Sequence, residues 1–115
     1  MSQFLILIYD DESWATDEAA GAKLMDGHNA FGATYGPKIA GGNALQPVAT
    51  ATTVRPDGAG GFTVTDGPFV ASKEALGGYY LVEAADLDEA IEMAKAVPVL
   101  SGGLEVRPIM VFEGS

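Results

Sequence analysis

Residues 4–9, Phe-Leu-Ile-Leu-Ile-Tyr, form an apolar run without polar alternation. Such a run is typical of a strand buried on both faces, because a strand with one face in water carries polar residues at every second position. The acidic residues Asp10, Asp11 and Glu12 end it. Other parts of the protein must therefore cover both sides of the sheet that contains this strand.

A helix is predicted next, with Thr16 as N-cap and Asp17 and Glu18 in its first turn. It ends at Gly36-Pro37. Spacings of four, three and four residues place four side chains on one helical face. These four are Leu24, His28, Phe31 and Tyr35.

The middle of the chain is predicted to form a hairpin. Residues 39–43 are typical of a turn, and residues 44–55 are predicted to be a strand with Pro47 at an edge or a bulge. Pro-Asp-Gly-Ala-Gly-Gly makes a turn, so residues 62–65 are the returning strand. Residues 72–76 form at most one helical turn.

The second half repeats the pattern of strand and helix. A strand over residues 79–84 precedes a helix that begins at Asp86, where Asp86 and Glu89 resemble a capping box. Pro98 marks the end of this helix, and a last strand runs from residue 104 to residue 112.

The element order is β-α-β-β-β-α-β over one domain, residues 1–115. Setting aside the hairpin strand at 62–65 leaves the ferredoxin-like split βαβ plan, an α+β fold with both helices on one sheet face. The other face carries apolar residues of the first strand with nothing in the chain to cover them. We therefore predict a homodimer packed sheet to sheet.

Asp-Gly-Pro-Phe at residues 66–69 and Gly-Gly-Tyr-Tyr at 77–80 resemble the DGPF proteins of the YCII-related family. Segments 5–12, 41–47, 49–55, 84–90 and 106–109 extend the resemblance in the same order. The resemblance implies a dimeric ferredoxin-like α/β barrel whose activity is mostly unestablished. It also implies relatives with a proposed His/Asp active site, at least one aromatic-ring dehydrochlorinase, and a genomic link to extracytoplasmic-function sigma factors. The chain departs from the family pattern at Asn43, where an acidic residue is usual, and at Ala71-Ser72.

The composition of the chain restricts the classes of partner and cofactor that are expected. Six Lys and Arg against 16 Asp and Glu give a net charge of −10, which argues against nucleic acid and anionic membranes as partners. The chain has no cysteine, so disulfides and Cys-ligated zinc are excluded. No signal peptide or membrane span is recognisable, and a cytoplasmic protein is expected. No cofactor is predicted, because the glycine-rich stretches contain neither a Walker pattern nor a dinucleotide fingerprint.

His28 is the single histidine and the first candidate catalytic residue. It is either a general acid/base or a packed histidine satisfied by one hydrogen bond. Asp66 either caps its own turn or orients His28 as a second catalytic residue. Asp10, Asp11 and Glu12 are either a solvated strand end or oxygen ligands, and no metal site is predicted.

Four further residues are candidates for substrate binding: Thr52, Arg55, Phe69 and Tyr79. Arg55 is suited to an anion and the aromatic residues to an apolar ligand, although each aromatic residue also fits simple packing. Two functions stay open, a small-molecule enzyme working by proton transfer and a non-catalytic ligand-binding or regulatory dimer. Contact of His28 with Asp66 beside a solvent-connected cavity favours the enzyme, and burial of His28 among aliphatic side chains favours the binder.

Overall fold

The structure is a computed structural model that describes residues 1–112, so the last three residues of the predicted domain lie outside the described part. It contains two α-helices and six strands within that range. In chain order these are β1 Ser2–Asp10, α1 Glu18–Tyr35, β2 Ile39–Ala44, β3 Thr52–Pro56, β4 Phe62–Asp66, β5 Ala75–Ala84, α2 Leu87–Lys95 and β6 Gly103–Pro108.

Four strands form the main sheet in the order β2-β5-β1-β6, and every neighbouring pair is antiparallel. The apolar run over residues 4–9 lies in β1, between β5 and β6. In the register of β1 and β5, Leu5 is opposite Leu81. The arrangement is a mixed fold of helices and antiparallel sheets, compatible with the ferredoxin-like plan.

Burial alternates along β1 and defines the two faces of the sheet. Phe4, Ile6 and Ile8 are buried, whereas Leu5 and Leu7 between them are only partly covered. The buried residues form one core with apolar side chains of both helices, namely Phe31, Ala90, Met93 and Ala94. Both helices therefore cover one face, and the side of Leu5, Leu7 and Leu81 is called the open face below.

Both helices begin at an aspartate. Asp17 caps α1 by accepting the backbone N–H groups of Ala19 and Ala20, one residue later than the predicted cap at Thr16. Asp86 accepts the N–H of Glu89 at 2.9 Å, so the predicted cap of α2 is confirmed.

The predicted strand over residues 44–55 is correct at its end, where residues 52–55 lie in β3, and wrong over residues 45–51. The second strand of the main sheet is β2 at 39–44, the segment predicted to be a turn because of its glycines. A Cβ on Gly42 would lie 2.7 Å from the carbonyl oxygen of Tyr79, so this edge strand needs glycine in order to approach β5. Strands β3 and β4 pair only with each other in a separate two-stranded sheet.

Two further predictions need correction. Residues 72–74 form no helical turn, and β5 begins at Ala75, four residues before the predicted start at residue 79. The last strand ends at Pro108 rather than continuing to residue 112. Proline lacks the N–H that a continuing ladder needs, which explains the stop.

Candidate small-molecule site

A cavity of about 430 Å³ lies between α1 and the sheet end where β1 stops and β5 begins. Its side chains include Trp14, Leu24, Met25, His28 and Tyr80, and we call it the His28 cavity. Glycines at positions 21, 42, 77 and 78 also line it. None of the described residues lining it is Lys or Arg.

Helix α1 positions His28 over the sheet. Phe31, one turn later on the same face, is 1% exposed and its ring centroid lies 4.6 Å from that of Tyr80. This packing anchors both the helix and the tyrosine ring. The Nδ1 atom of His28 lies 2.7 Å from the hydroxyl oxygen of Tyr80, which is hydrogen-bonding distance.

The surroundings keep both members of this pair uncharged at neutral pH. Burial lowers the pKa of His28 below its ordinary 6.5 and raises the pKa of Tyr80 above its ordinary 10.0. A neutral imidazole carries one N–H and one lone pair, and a phenol hydroxyl both donates and accepts. The pair can therefore accept a proton at one atom while it donates another.

Tyr79 is among the residues that line the His28 cavity. Its hydroxyl oxygen accepts a hydrogen bond of 3.0 Å from the Asn43 amide. The two residues are direct partners in the register of β2 and β5. Tyr79 is also opposite Leu7 in the register of β1 and β5, so its side chain lies on the open face of the sheet, opposite to that of Tyr80.

Three carboxylates at the end of β1 act as hydrogen-bond acceptors. Asp10 is 7% exposed and accepts the backbone N–H groups of Leu100, Ser101 and Gly102. Hydrogen bonds from the Ser101 and Ser13 hydroxyls lower the pKa of Asp11 to about 2.

Glu12 accepts the N–H of Val48 at 2.9 Å. The three acids thus tie two loops to the sheet end. Across residues 1–112, no group of three or more His, Cys, Asp or Glu side chains is arranged to hold a metal ion.

The remaining candidate residues lie elsewhere. Thr52 and Asp66 are opposite one another at the base of the β3–β4 hairpin. The Arg55 guanidinium lies 4.0 Å from the ring centroid of Phe69. Phe69 lines a second groove of about 920 Å³, which does not include His28 among its described residues.

The structure therefore divides the predicted site. Both His28 and Tyr79 line the His28 cavity, but the Tyr79 side chain lies on the opposite face of the sheet. Asp66 is not among the described lining residues of that cavity. The partner of His28 is Tyr80, which is not one of the candidate residues that the sequence predicted. Alternation along β5 was the available signal, because Tyr80, Val82 and Ala84 share the side of the strand that faces the helices.

Fold and site together define a protein of two helices and antiparallel sheets, with a largely apolar cavity between helix and sheet whose described lining includes one carboxylate, Asp10. The chain belongs to the YCII-related family, since the model of the YCII-related domain matches residues 2–113. It is also similar to an uncharacterised protein of Rhizobium meliloti (strain 1021). The two are 34% identical over 119 residues, which cover 96% of this chain and 94% of that protein.

No helix in the described part of the chain combines the length and the apolar character needed to cross a membrane.

Proposed function

We propose that the protein is a small-molecule enzyme, an isomerase or lyase that works by proton transfer in the His28 cavity. The observation that carries this proposal is the 2.7 Å contact between His28 Nδ1 and the Tyr80 hydroxyl at the cavity wall. Tyr80 takes the place that the sequence assigned to Asp66. The mechanism uses the tautomer of His28 that carries its proton on Nδ1. In that tautomer Nδ1–H donates to the Tyr80 hydroxyl oxygen, Nε2 is free to act as the base, and the phenol O–H acts as the acid.

The lining supports an uncharged substrate. Apolar and aromatic side chains surround the histidine, and the described lining contains no Lys or Arg to neutralise an anion. The lining carboxylate, Asp10, already accepts four backbone N–H groups and is therefore not free to pair with a cationic substrate. A buried anion without a cationic partner pays a large desolvation penalty. Arg55, the candidate for anion binding, lies in the hairpin strand β3 and stacks on Phe69 instead.

The test starts from a thermal-shift screen of uncharged small molecules, followed by turnover assays of the compounds that bind. His28→Gln and Tyr80→Phe should each lower kcat by about 100-fold or more. Asn29→Gln is the matched control, because Asn29 is exposed on the same helix next to His28. Unchanged turnover in both site variants would refute catalysis by this pair.

The second candidate is a non-catalytic ligand-binding or regulatory dimer, which the family resemblance links to extracytoplasmic-function sigma factors. The separation of Asp66 from His28 favours it, because the expected acid/base pair is missing within one chain. In this case ligands bind the wild type without being converted. Binding to His28→Gln would then persist while no variant shows turnover.

We further propose that the protein is a homodimer in the manner of a dimeric α/β barrel. The open face supports this, because Leu5, Leu7 and Leu81 lie there without full cover. Packing two such faces together removes apolar surface from water on both copies. Sedimentation equilibrium should give twice the mass of the 11.9 kDa chain, and a single 11.9 kDa species at micromolar concentration would refute the dimer.

A further inference from the structure

The hairpin of residues 52–66, called the hairpin arm below, separates apolar and polar side chains onto two sides. Val54 pairs with Val64, and Pro56 pairs with Phe62. The intervening pairs are Thr53 with Thr65 and Arg55 with Thr63. Because side chains alternate along a strand, one side of the arm is apolar and the other carries threonines and an arginine.

The apolar side of the arm is left in water, although water disfavours apolar surface. On the apolar side, Val54 is 57% exposed, Phe62 69% and Val64 64%. On the polar side, Thr53 is buried at the base of the arm, and Arg55, Thr63 and Thr65 are exposed. A two-stranded hairpin is at best marginally stable in water, so a bare apolar side indicates that something else covers it.

The base of the arm sets its direction. The Gly67 N–H donates to the Ala51 carbonyl at 2.7 Å, and the Thr53 hydroxyl donates to the Gly67 carbonyl, also at 2.7 Å. Arg55 stacks on Phe69 from the same polar side. These contacts hold the polar side against residues 67–69, so the apolar side of the arm points away from that segment.

The total surface indicates how much cover is required. A folded monomer of this mass exposes roughly 6,000 Å², whereas this chain exposes 7646 Å². The difference is roughly 1,700 Å², within the range of about 1,000–2,500 Å² that each chain buries in an obligate dimer. The radius of gyration of 16.3 Å likewise exceeds the value of about 13 Å for a compact chain of this length.

We propose that the apolar side of the hairpin arm packs against a second copy of this chain. The inference rests on the proposed homodimer and extends its interface beyond the open faces of the sheets. Two-fold symmetry gives every dimer two arms, and each copy both donates one and receives one. The apolar stripe is uncharged, with Asp66 on that side only at the arm's base, so burying it does not bury an unpaired charge.

The first test compares dimer dissociation constants by sedimentation. Phe62→Ser combined with Val64→Ser should weaken dimerisation by at least about 100-fold. Thr63→Ser is the matched control, because it lies between these residues on the polar side and should leave the constant unchanged. Circular dichroism verifies that each variant is folded.

A second measurement tests the same contact of the hairpin arm if the double serine variant fails to fold. The chain has no cysteine, so Val64→Cys and Thr63→Cys each introduce a single labelling site for an environment-sensitive dye. Dilution below the dissociation constant should move the emission of the dye at position 64 towards its spectrum in water, and leave position 63 unchanged. A wild-type dimer with unchanged affinity in the double variant, or with no shift at position 64, would overturn the arm contact alone. A monomeric wild type would overturn the dimer as well.

Discussion

The carboxylate of Asp10 offers the sharpest test of how the wall of the His28 cavity is held. Its oxygens accept the N–H groups of Leu100, Ser101 and Gly102 at 2.6, 3.0 and 3.0 Å, and that of Asp11 at 2.9 Å. The loop that they hold follows Pro98, which lines the cavity. Asp10→Ala removes every one of these acceptors.

The size of the effect follows from the number of donors left without a partner. A hydrogen bond to a charged group contributes about 1.5–3 kcal/mol, and an unsatisfied buried donor costs about 1–3 kcal/mol. Since water reaches part of the loop once it relaxes, we expect Asp10→Ala to lower the free energy of unfolding by about 3–5 kcal/mol in total. Asp10→Asn keeps one acceptor oxygen but presents an NH₂ group to a loop N–H, and should cost about 2 kcal/mol.

Urea unfolding followed by circular dichroism measures these differences. Asp26→Asn is the control, because Asp26 is exposed on α1 and its substitution should stay within about 0.5 kcal/mol. The asparagine variant keeps the test usable if the alanine variant is largely unfolded. A loss below about 1 kcal/mol for Asp10→Ala would refute the argument that this carboxylate holds the loop.

Two other predictions concern glycine and histidine. An added Cβ at Gly32 in α1 meets no atom within 4 Å, so Gly32→Ala should raise the free energy of unfolding by up to about 1 kcal/mol. Gly102→Ala should instead strongly destabilise the fold, because the added Cβ would collide with the Tyr9 carbonyl. Thermal unfolding checks both, and equal effects would contradict the prediction. The lowered pKa of His28 means that the unfolded chain binds this proton more tightly, so stability should fall as the pH drops through the ordinary value of 6.5. Urea titrations across that range should show a smaller fall for His28→Gln, and an identical profile would contradict the assignment.

Much of the fold followed from local patterns in the sequence. The run over residues 4–9 predicted a strand, and it lies in β1, where one face is buried and the other is partly covered. The spacing of His28 and Phe31 placed them together on the inner face of α1, and Asp86 marked the start of α2. These inferences held because each depends on residues close together in the chain.

The site was harder to predict because its contacts join distant elements. His28 meets Tyr80 across 52 residues, and nothing local selects Tyr80 over Asp66 as its partner. The second strand was misplaced for a related reason. Gly41 and Gly42 resemble a turn by composition, yet the close approach of β2 to β5 requires glycine at position 42.

The sequence by itself determined the buried strand, both helices, the turn of the hairpin and a net charge that disfavours nucleic acid. Tertiary structure alone decided which strand completes the sheet, which hydroxyl meets the histidine and which side of the hairpin arm is left bare. This difference follows from how far apart in the sequence the interacting residues are. Periodicity and capping act within a few residues, whereas strand pairing and the walls of a cavity depend on contacts between segments that the chain keeps far apart.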